Sequence, residues 1–258
     1  MNTITSKDNP SVRACIALRE KKRERRALRA YVCEGEKILC EAVREGVAVR
    51  EAFFTEAAAE RRSAEITELS ARGARIYTVP DALLAYLSDV ESPQGVVFTA
   101  AMGERPTGTP HDLLVCDEVR DPGNLGTILR TADAFGAGGV FLCGDCADPY
   151  APKVVRACMG SLFRVPLYFG SAEECAALCR ESGLSLYCAK PREDAFRLSQ
   201  GLPPRSAIAI GNEAHGVREE LCHFAKGSLY VDMSGRAESL NAAVCAAIIL
   251  WHQQLVRE

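Results

Sequence analysis

A mostly parallel α/β sheet with helices on both faces, preceded by a smaller α/β unit, is the fold class this sequence predicts. Three observations carry it. From residue 111 onward, short apolar runs alternate with helix-period segments, the pattern of strands joined by crossover helices. The 258 residues, 48% of them hydrophobic, suffice for two modest cores. Between the halves, residues 102–110 carry two glycines and two prolines without periodicity, which reads as a linker. The expected division is a first domain over 1–101, a linker over 102–110 and a second domain over 111–258.

In the first domain, Asn9 and Pro10 open a helix that includes Val12, Ile16 and Leu18. A charged stretch follows. Residues 30–33 read as a strand ending at Glu34-Gly35, and residues 37–45 as a helix stopped by Gly46. Further strands fit 49–55, 75–79 and 95–101. In the second domain, strands fit 113–119, 139–143, 165–169, 184–189, 207–210 and 228–233. Helices fit 124–135, 152–163, 172–181, 217–224 and, longest, 241–256. The apolar run 242–251 is too short to span a bilayer, and no apolar leader is visible near Met1, so the chain reads as cytoplasmic with no membrane partner.

The twelve cysteines and four scattered histidines complete no zinc spacing, so no metal is expected. Cys175 and Cys179 stand at helical i, i+4 spacing in an Ala/Leu-rich stretch, a core face. The formal net charge of −3 argues against a general nucleic-acid binder, but its distribution is uneven. Between residues 19 and 29 lie Arg19, Lys21, Lys22, Arg23, Arg25, Arg26 and Arg29 against Glu20 and Glu24, a net of +5. Such a density can neutralise phosphates. It can equally be a solvated helix face whose acids pair at i+3 and i+4.

Ligands of open α/β sheets bind at loops beyond the carboxyl ends of the strands. Three such loops are rich in Gly, Asn, Glu and Ser. The first runs from Asp117 to Arg130; Pro122-Gly123 make a turn, Asn124 can cap the helix, and Arg130 can pair with Asp133. The second runs from Ile208 to Gly216, where Gly211 would let a ligand approach the backbone. The third runs from Val231 to Asn241, where Ser239 or Asn241 can cap the last helix. No Gly-rich dinucleotide fingerprint follows the first strand, and no Walker loop or G-x-S-x-G elbow is present.

Taken together, the loops resemble in order and spacing the three motifs of the SpoU (TrmH-like) family of RNA ribose methyltransferases. Asn124-Leu-Gly-x-x-x-Arg130 resembles the first, Gly211-Asn-Glu-x-x-Gly216 the second and Glu238-Ser-Leu-Asn241 the third. Residues 149–160 also resemble a family block, in which the position of Cys158 is more often serine. The N-terminal part, with Asn9-Pro10, the Lys/Arg run and Tyr31-Val-Cys-Glu-Gly35, looks like the family's substrate-binding domain, which is similar to small ribosomal RNA-binding proteins.

The resemblance implies S-adenosylmethionine-dependent methylation of a ribose 2′-hydroxyl in structured RNA, with ribosomal RNA favoured over transfer RNA. It implies a trefoil knot in the second domain and a homodimer. It places the methyl donor against Ile210, Gly211, Asn212, Gly216, Met233 and Leu240. It assigns catalysis to Arg130, Asn124, Glu213, Ser239 and Asn241, and RNA contact to the seven basic residues of 19–29. A transfer-RNA 2′-O-methyltransferase and a non-catalytic RNA-binding protein on the same fold stay open as alternatives.

Overall fold

The computed structural model describes residues 1–104, 106–190, 195–212, 214–237 and 239–256. The chain divides into two units, residues 1–104 with 148–163 and residues 105–147 with 164–258.

In the first unit a short strand, β1 (Asn2–Thr3), precedes α1 (Pro10–Glu20). Asn9 caps α1 as its sequence suggests: its side chain accepts the Ser11 N–H at 2.9 Å, and Pro10 presets the first turn. Extended Lys21 separates α1 from α2 (Lys22–Leu28), so the charged stretch is helical. There follow β2 (Ala30–Glu34), α3 (Glu36–Arg44), β3 (Val49–Phe54), α4 (Glu56–Arg61), α5 (Ser63–Ala71), β4 (Arg75–Thr78), α6 (Asp81–Leu87) and β5 (Val96–Ala101). The sheet order is β1-β4-β3-β5-β2. β1, β4 and β3 are parallel, and β5 runs antiparallel to both β3 and β2. Val12, Cys15 and Leu18 of α1 meet Phe53, Leu83, Leu84, Leu87 and Val97 in one core. Helices α4, α5 and α6 were not anticipated. α5 buries only Leu69, so 63–71 offers no apolar stripe to read.

The second unit holds β6 (Leu113–Asp117), α7 (Pro122–Ala134) and β7 (Val140–Cys143). The next helix in the chain, α8 (Pro152–Ala157), belongs to the first unit. The second unit then resumes with β8 (Leu167–Gly170), α9 (Ala172–Glu181), β9 (Ser185–Ala189), β10 (Phe196–Arg197), β11 (Ser206–Ile210), α10 (Glu219–Cys222), β12 (Gly227–Tyr230) and α11 (Ala242–Leu255). The strand order is β10-β12-β9-β11-β6-β7-β8, and every pairing is parallel. β6 and β11 are buried along their whole length, as the middle of a covered parallel sheet requires. Helix α7 packs with α11, and α9 with α10. Cys175 and Cys179 face this core, and all twelve thiols are free.

Two local differences have clear causes. The helix expected over 152–163 stops at Ala157, because Met159 and Gly160 turn the chain at φ 51° and 91° before a 3-10 turn at Ser161–Phe163. Residues 148–163, counted above within 111–258, pack with the first unit. Asp148 takes the Arg25 guanidinium at 2.8 Å, Arg156 bridges Glu34 and Asp89 at 3.0 and 2.7 Å, and the rings of Tyr31 and Tyr150 lie 5.0 Å apart.

Candidate active site

The three loops leave the carboxyl ends of β6, β11 and β12, with β9 lying between β11 and β12, and hydrogen bonds join the second and third loops to the first. Asp121, and not Asn124, caps α7: its carboxylate accepts the Asn124 N–H at 2.7 Å, and Pro122 occupies the first helical turn. An aspartate with Pro behind it is a complete start signal one residue before the turn expected at Pro122-Gly123. Asn124 is thereby inside the helix, and its Oδ1 accepts the Asn241 Nδ2 at 3.0 Å. Asn241 caps α11, with its Oδ1 accepting the N–H groups of Ala243 and Val244 at 2.9 and 3.3 Å. One side chain thus starts the last helix and ties the third loop to the first. Ser239 is exposed and takes no part in the cap.

The second loop folds back on itself. Asn212 and Gly216 exchange backbone hydrogen bonds at 3.1 and 2.8 Å, and the Asn212 Oδ1 accepts the Ala214 N–H. Gly211 is required by this hairpin. A Cβ there would lie 1.9 Å from the Gly216 carbonyl carbon and 2.1 Å from the Val217 nitrogen. The space a side chain would fill is taken by the chain's own return at Gly216 and Val217. The Asn212 Nδ2 donates to the Glu118 carbonyl at 3.0 Å, so this loop too is tied to the first.

Arg130 lies exposed on α7. Asp133, offered by the sequence as its partner, is instead gripped by Arg164 Nε at 3.1 Å and Nη2 at 2.7 Å. Among the described residues Arg130 meets no carboxylate at ion-pair distance. Ile210 is buried at the end of β11, Leu240 is half-buried, and Met233 is 41% exposed in the third loop, because β12 ends at Tyr230 and not at residue 233. Glu213 and Glu238 lie outside the described residues.

One pair escaped the sequence reading. Asp117, the last residue of β6, is fully buried and binds Arg218 three times: backbone N–H at 2.8 Å, Nε at 2.9 Å and Nη2 at 2.7 Å. These hydrogen bonds push the Arg218 pKa further up, so its charge is permanent. Burial, then the nearby Asp117, pushes the Cys143 thiol up to about 12. The two residues are 101 positions apart, and no motif or periodicity links them.

The basic stretch of the first unit is not uniform. Arg25 is buried, paired with Asp148 and donating to the Leu18 and Arg19 carbonyls. Arg19 donates to the carbonyls of Tyr86 and Ser88 at the end of α6. Lys21, Lys22, Arg23, Arg26 and Arg29 are exposed. On the same unit, a cleft of about 950 Å³ is lined by Lys37, Arg44, Arg61 and Arg62, but Glu36 and Glu41 neutralise much of that charge.

The SpoU rRNA methylase family model matches residues 112–251, and an MRM3-like substrate-binding domain matches residues 9–98. The 23S rRNA (guanosine(2553)-2′-O)-methyltransferase RlmP of Bacillus subtilis is 32% identical over 98% of this chain and 99% of its own. The human mitochondrial rRNA methyltransferase 3 is 35% identical, over 84% of this chain and 66% of its own. A crystal structure of an AdoMet-bound rRNA methyltransferase from Sinorhizobium meliloti superimposes with a TM-score of 0.89 at 28% identity, covering 99% of this chain and 98% of that one.

Proposed function

This chain belongs to the SpoU rRNA methylase family, and from that premise we propose that it transfers a methyl group from S-adenosylmethionine to a ribose 2′-hydroxyl of ribosomal RNA. The observation that carries the reading is the meeting of the three loops: Asn124, Asn212 and Asn241 each bond across to another loop or its flank, and Arg130 stands exposed on the same helix as Asn124. The donor fits the side chains present. Met233 and Leu240 offer apolar surface to an adenine or thioether, and the Gly- and Ser-rich backbone of the second and third loops offers polar groups. Ile210, Gly211, Asn212, Gly216, Met233 and Leu240 are the residues we assign to it.

Bound S-adenosylmethionine supplies an activated sulfonium methyl, so the protein needs no metal to polarise it. What remains is to hold the hydroxyl in line and to manage one proton. Arg130 is the group assigned to the hydroxyl. A guanidinium with a pKa above about 12 is a poor general base. It can orient the hydroxyl and stabilise charge developing on its oxygen. The proton then leaves to an RNA phosphate oxygen or to water. Asn124 and Asn241 hold the first and third loops in register around that reaction; Glu213 and Ser239 are assigned the remaining polar contacts to Arg130 and the nucleotide.

RNA phosphates are assigned to Lys21, Lys22, Arg23, Arg26 and Arg29. Arg19 and Arg25, expected among them, are occupied within the first unit. The family also suggests the trefoil knot, a cytoplasmic site of action and a homodimer. The dimer has support on α11: Val244, Trp251 and Leu255, spaced i, i+7 and i+11, are each 48% exposed. Among the described residues no helix is long and apolar enough to cross a membrane.

The test is transfer of labelled methyl from S-adenosylmethionine to unmodified total RNA, followed by alkaline hydrolysis and sizing. The expected result is label in ribosomal RNA, retained in alkali-resistant dinucleotides. Label in mononucleotides would mean base methylation and would overturn the mechanism. Label confined to small RNA would favour transfer RNA, and donor binding without transfer to any RNA would favour a non-catalytic role.

A further inference from the structure

The second loop is held at both ends by consecutive residues of the first. At its entry, the Asn212 Nδ2 donates to the Glu118 carbonyl at 3.0 Å. At its exit, the Arg218 backbone N–H and guanidinium are bound by Asp117. The element that follows, α10, has only four residues, too few to anchor a loop by itself. Glu118 sits at φ 53°, a strained conformation for a side-chain-bearing residue, and its N–H is fixed by the Cys143 carbonyl at 3.1 Å. Arg218 also closes over β7. Its Nη2 reaches the Cys143 Sγ at 3.4 Å, and a Cβ on Gly144 would come within 2.9 Å of the same nitrogen. Two strand ends, those of β6 and β7, therefore meet at the guanidinium of a residue that follows the loop after β11.

Burying a carboxylate costs several kcal/mol, and a buried ion pair is weak evidence of stability. Its geometry is what distinguishes it. Asp117 has no solvent exposure, and the Nε and Nη2 groups of Arg218 share its Oδ1 while the backbone N–H takes Oδ2. That arrangement ties the end of β6 to the backbone at residue 218, two residues past the Asn212–Gly216 bridge.

We propose that Asp117 and Arg218 are a positioning pair that sets the shape of the donor-binding hairpin 212–217. Neither acts on the reacting atoms; Asp117 works through Arg218, and Arg218 through the backbone that follows Gly216. The proposal rests on the reading that this hairpin holds S-adenosylmethionine.

The full-length protein and its Arg218→Lys and Asp117→Asn variants test it. Four quantities are compared: calorimetric affinity for S-adenosylmethionine, affinity for ribosomal RNA, melting temperature, and amide exchange over 211–218 with and without donor. Lysine keeps the charge but loses the fork. The expected result is about a tenfold loss of donor affinity in Arg218→Lys, equivalent to about 1.4 kcal/mol. RNA affinity should be unchanged, exchange over 212–217 faster, and the donor KM should rise more than kcat falls. Asp117→Asn should do the same. If that variant does not fold, Arg218→Lys alone decides. Donor affinity within twofold of wild type in a folded Arg218→Lys protein would overturn the pair, as would donor and RNA affinities falling together in step with the melting temperature. In the wild type, donor that protects no amide of 211–217 would overturn the hairpin's role itself, and the pair's with it.

Discussion

In the charged stretch 19–29, side chains that look interchangeable in the sequence divide into two kinds, whereas in the three loops side chains far apart in the sequence converge. Arg25 is buried against Asp148 and Arg19 caps the end of α6, while Lys22 and Arg26 beside them face solvent. In the loops, Asn124 and Asn241 are 117 positions apart and share a hydrogen bond. A run of charge thus specifies little about each member. A short polar motif at the mouth of a parallel strand specifies more, because the sheet fixes where each strand ends.

The largest effect that would sharpen this contrast is on stability. Arg25→Ala leaves Asp148 without its buried partner and should cost about 3 kcal/mol in chemical unfolding, with little effect on the salt dependence of RNA binding beyond that of unfolded protein. A loss below about 0.5 kcal/mol with weakened RNA binding would return Arg25 to the phosphate-binding set.

Next is the cap. Asn241→Ala should cost about 1 kcal/mol from the helix start alone. Because the same side chain holds Asn124, it should also lower methyl transfer at saturating donor. Asn241→Asp keeps the cap but replaces the Nδ2 that donates to the Asn124 Oδ1 with an acceptor oxygen, so it should recover stability and not activity.

Smaller still, Lys22→Ala and Arg26→Ala should each leave stability within about 0.5 kcal/mol and reduce the slope of log affinity against log salt by about 1. Unchanged slopes would mean that the exposed half of the stretch is a solvated face and no more.

The alkaline limb acts on both units alike, and one thiol in each illustrates it. Burial, then Glu51, pushes Cys15 up to about 12, and burial, then Asp117, pushes Cys143 up to about 12, from an ordinary value of 9.0. Below pH 9 both folded and unfolded thiols keep their protons, so these groups add no pH dependence. Between pH 9 and 12 the unfolded thiols ionise first, and stability should fall as pH rises. Melting curves at pH 8 and 10.5 check this; Cys15→Ala should flatten the pH dependence of the first unit.

Much of the second unit was legible because its strands are continuous apolar runs between helix-period segments, and a sheet buried on both faces leaves that trace. The caps at Asn9 and Asn241 were legible because their signal is local. The Asp121 cap is not legible, since Asn124 competes with it three residues later and Pro122-Gly123 carries the signature of a turn as well as of a helix start. Helices α4 and α5 were missed for want of an apolar stripe. The Asp117–Arg218 and Arg25–Asp148 pairs were out of reach for a different reason. They join residues 101 and 123 positions apart, and nothing local in a sequence distinguishes an arginine that will be buried from one that will not.

The most direct test of the account is Arg130→Ala, measured side by side for donor affinity by calorimetry and for single-turnover methyl transfer to ribosomal RNA. An exposed guanidinium that acts only on the developing oxygen charge should leave donor affinity within twofold of wild type and lower the transfer rate by about 100-fold or more. Near-wild-type turnover from the alanine variant would contradict the role given to Arg130 and, with it, the chemistry assigned to the three loops.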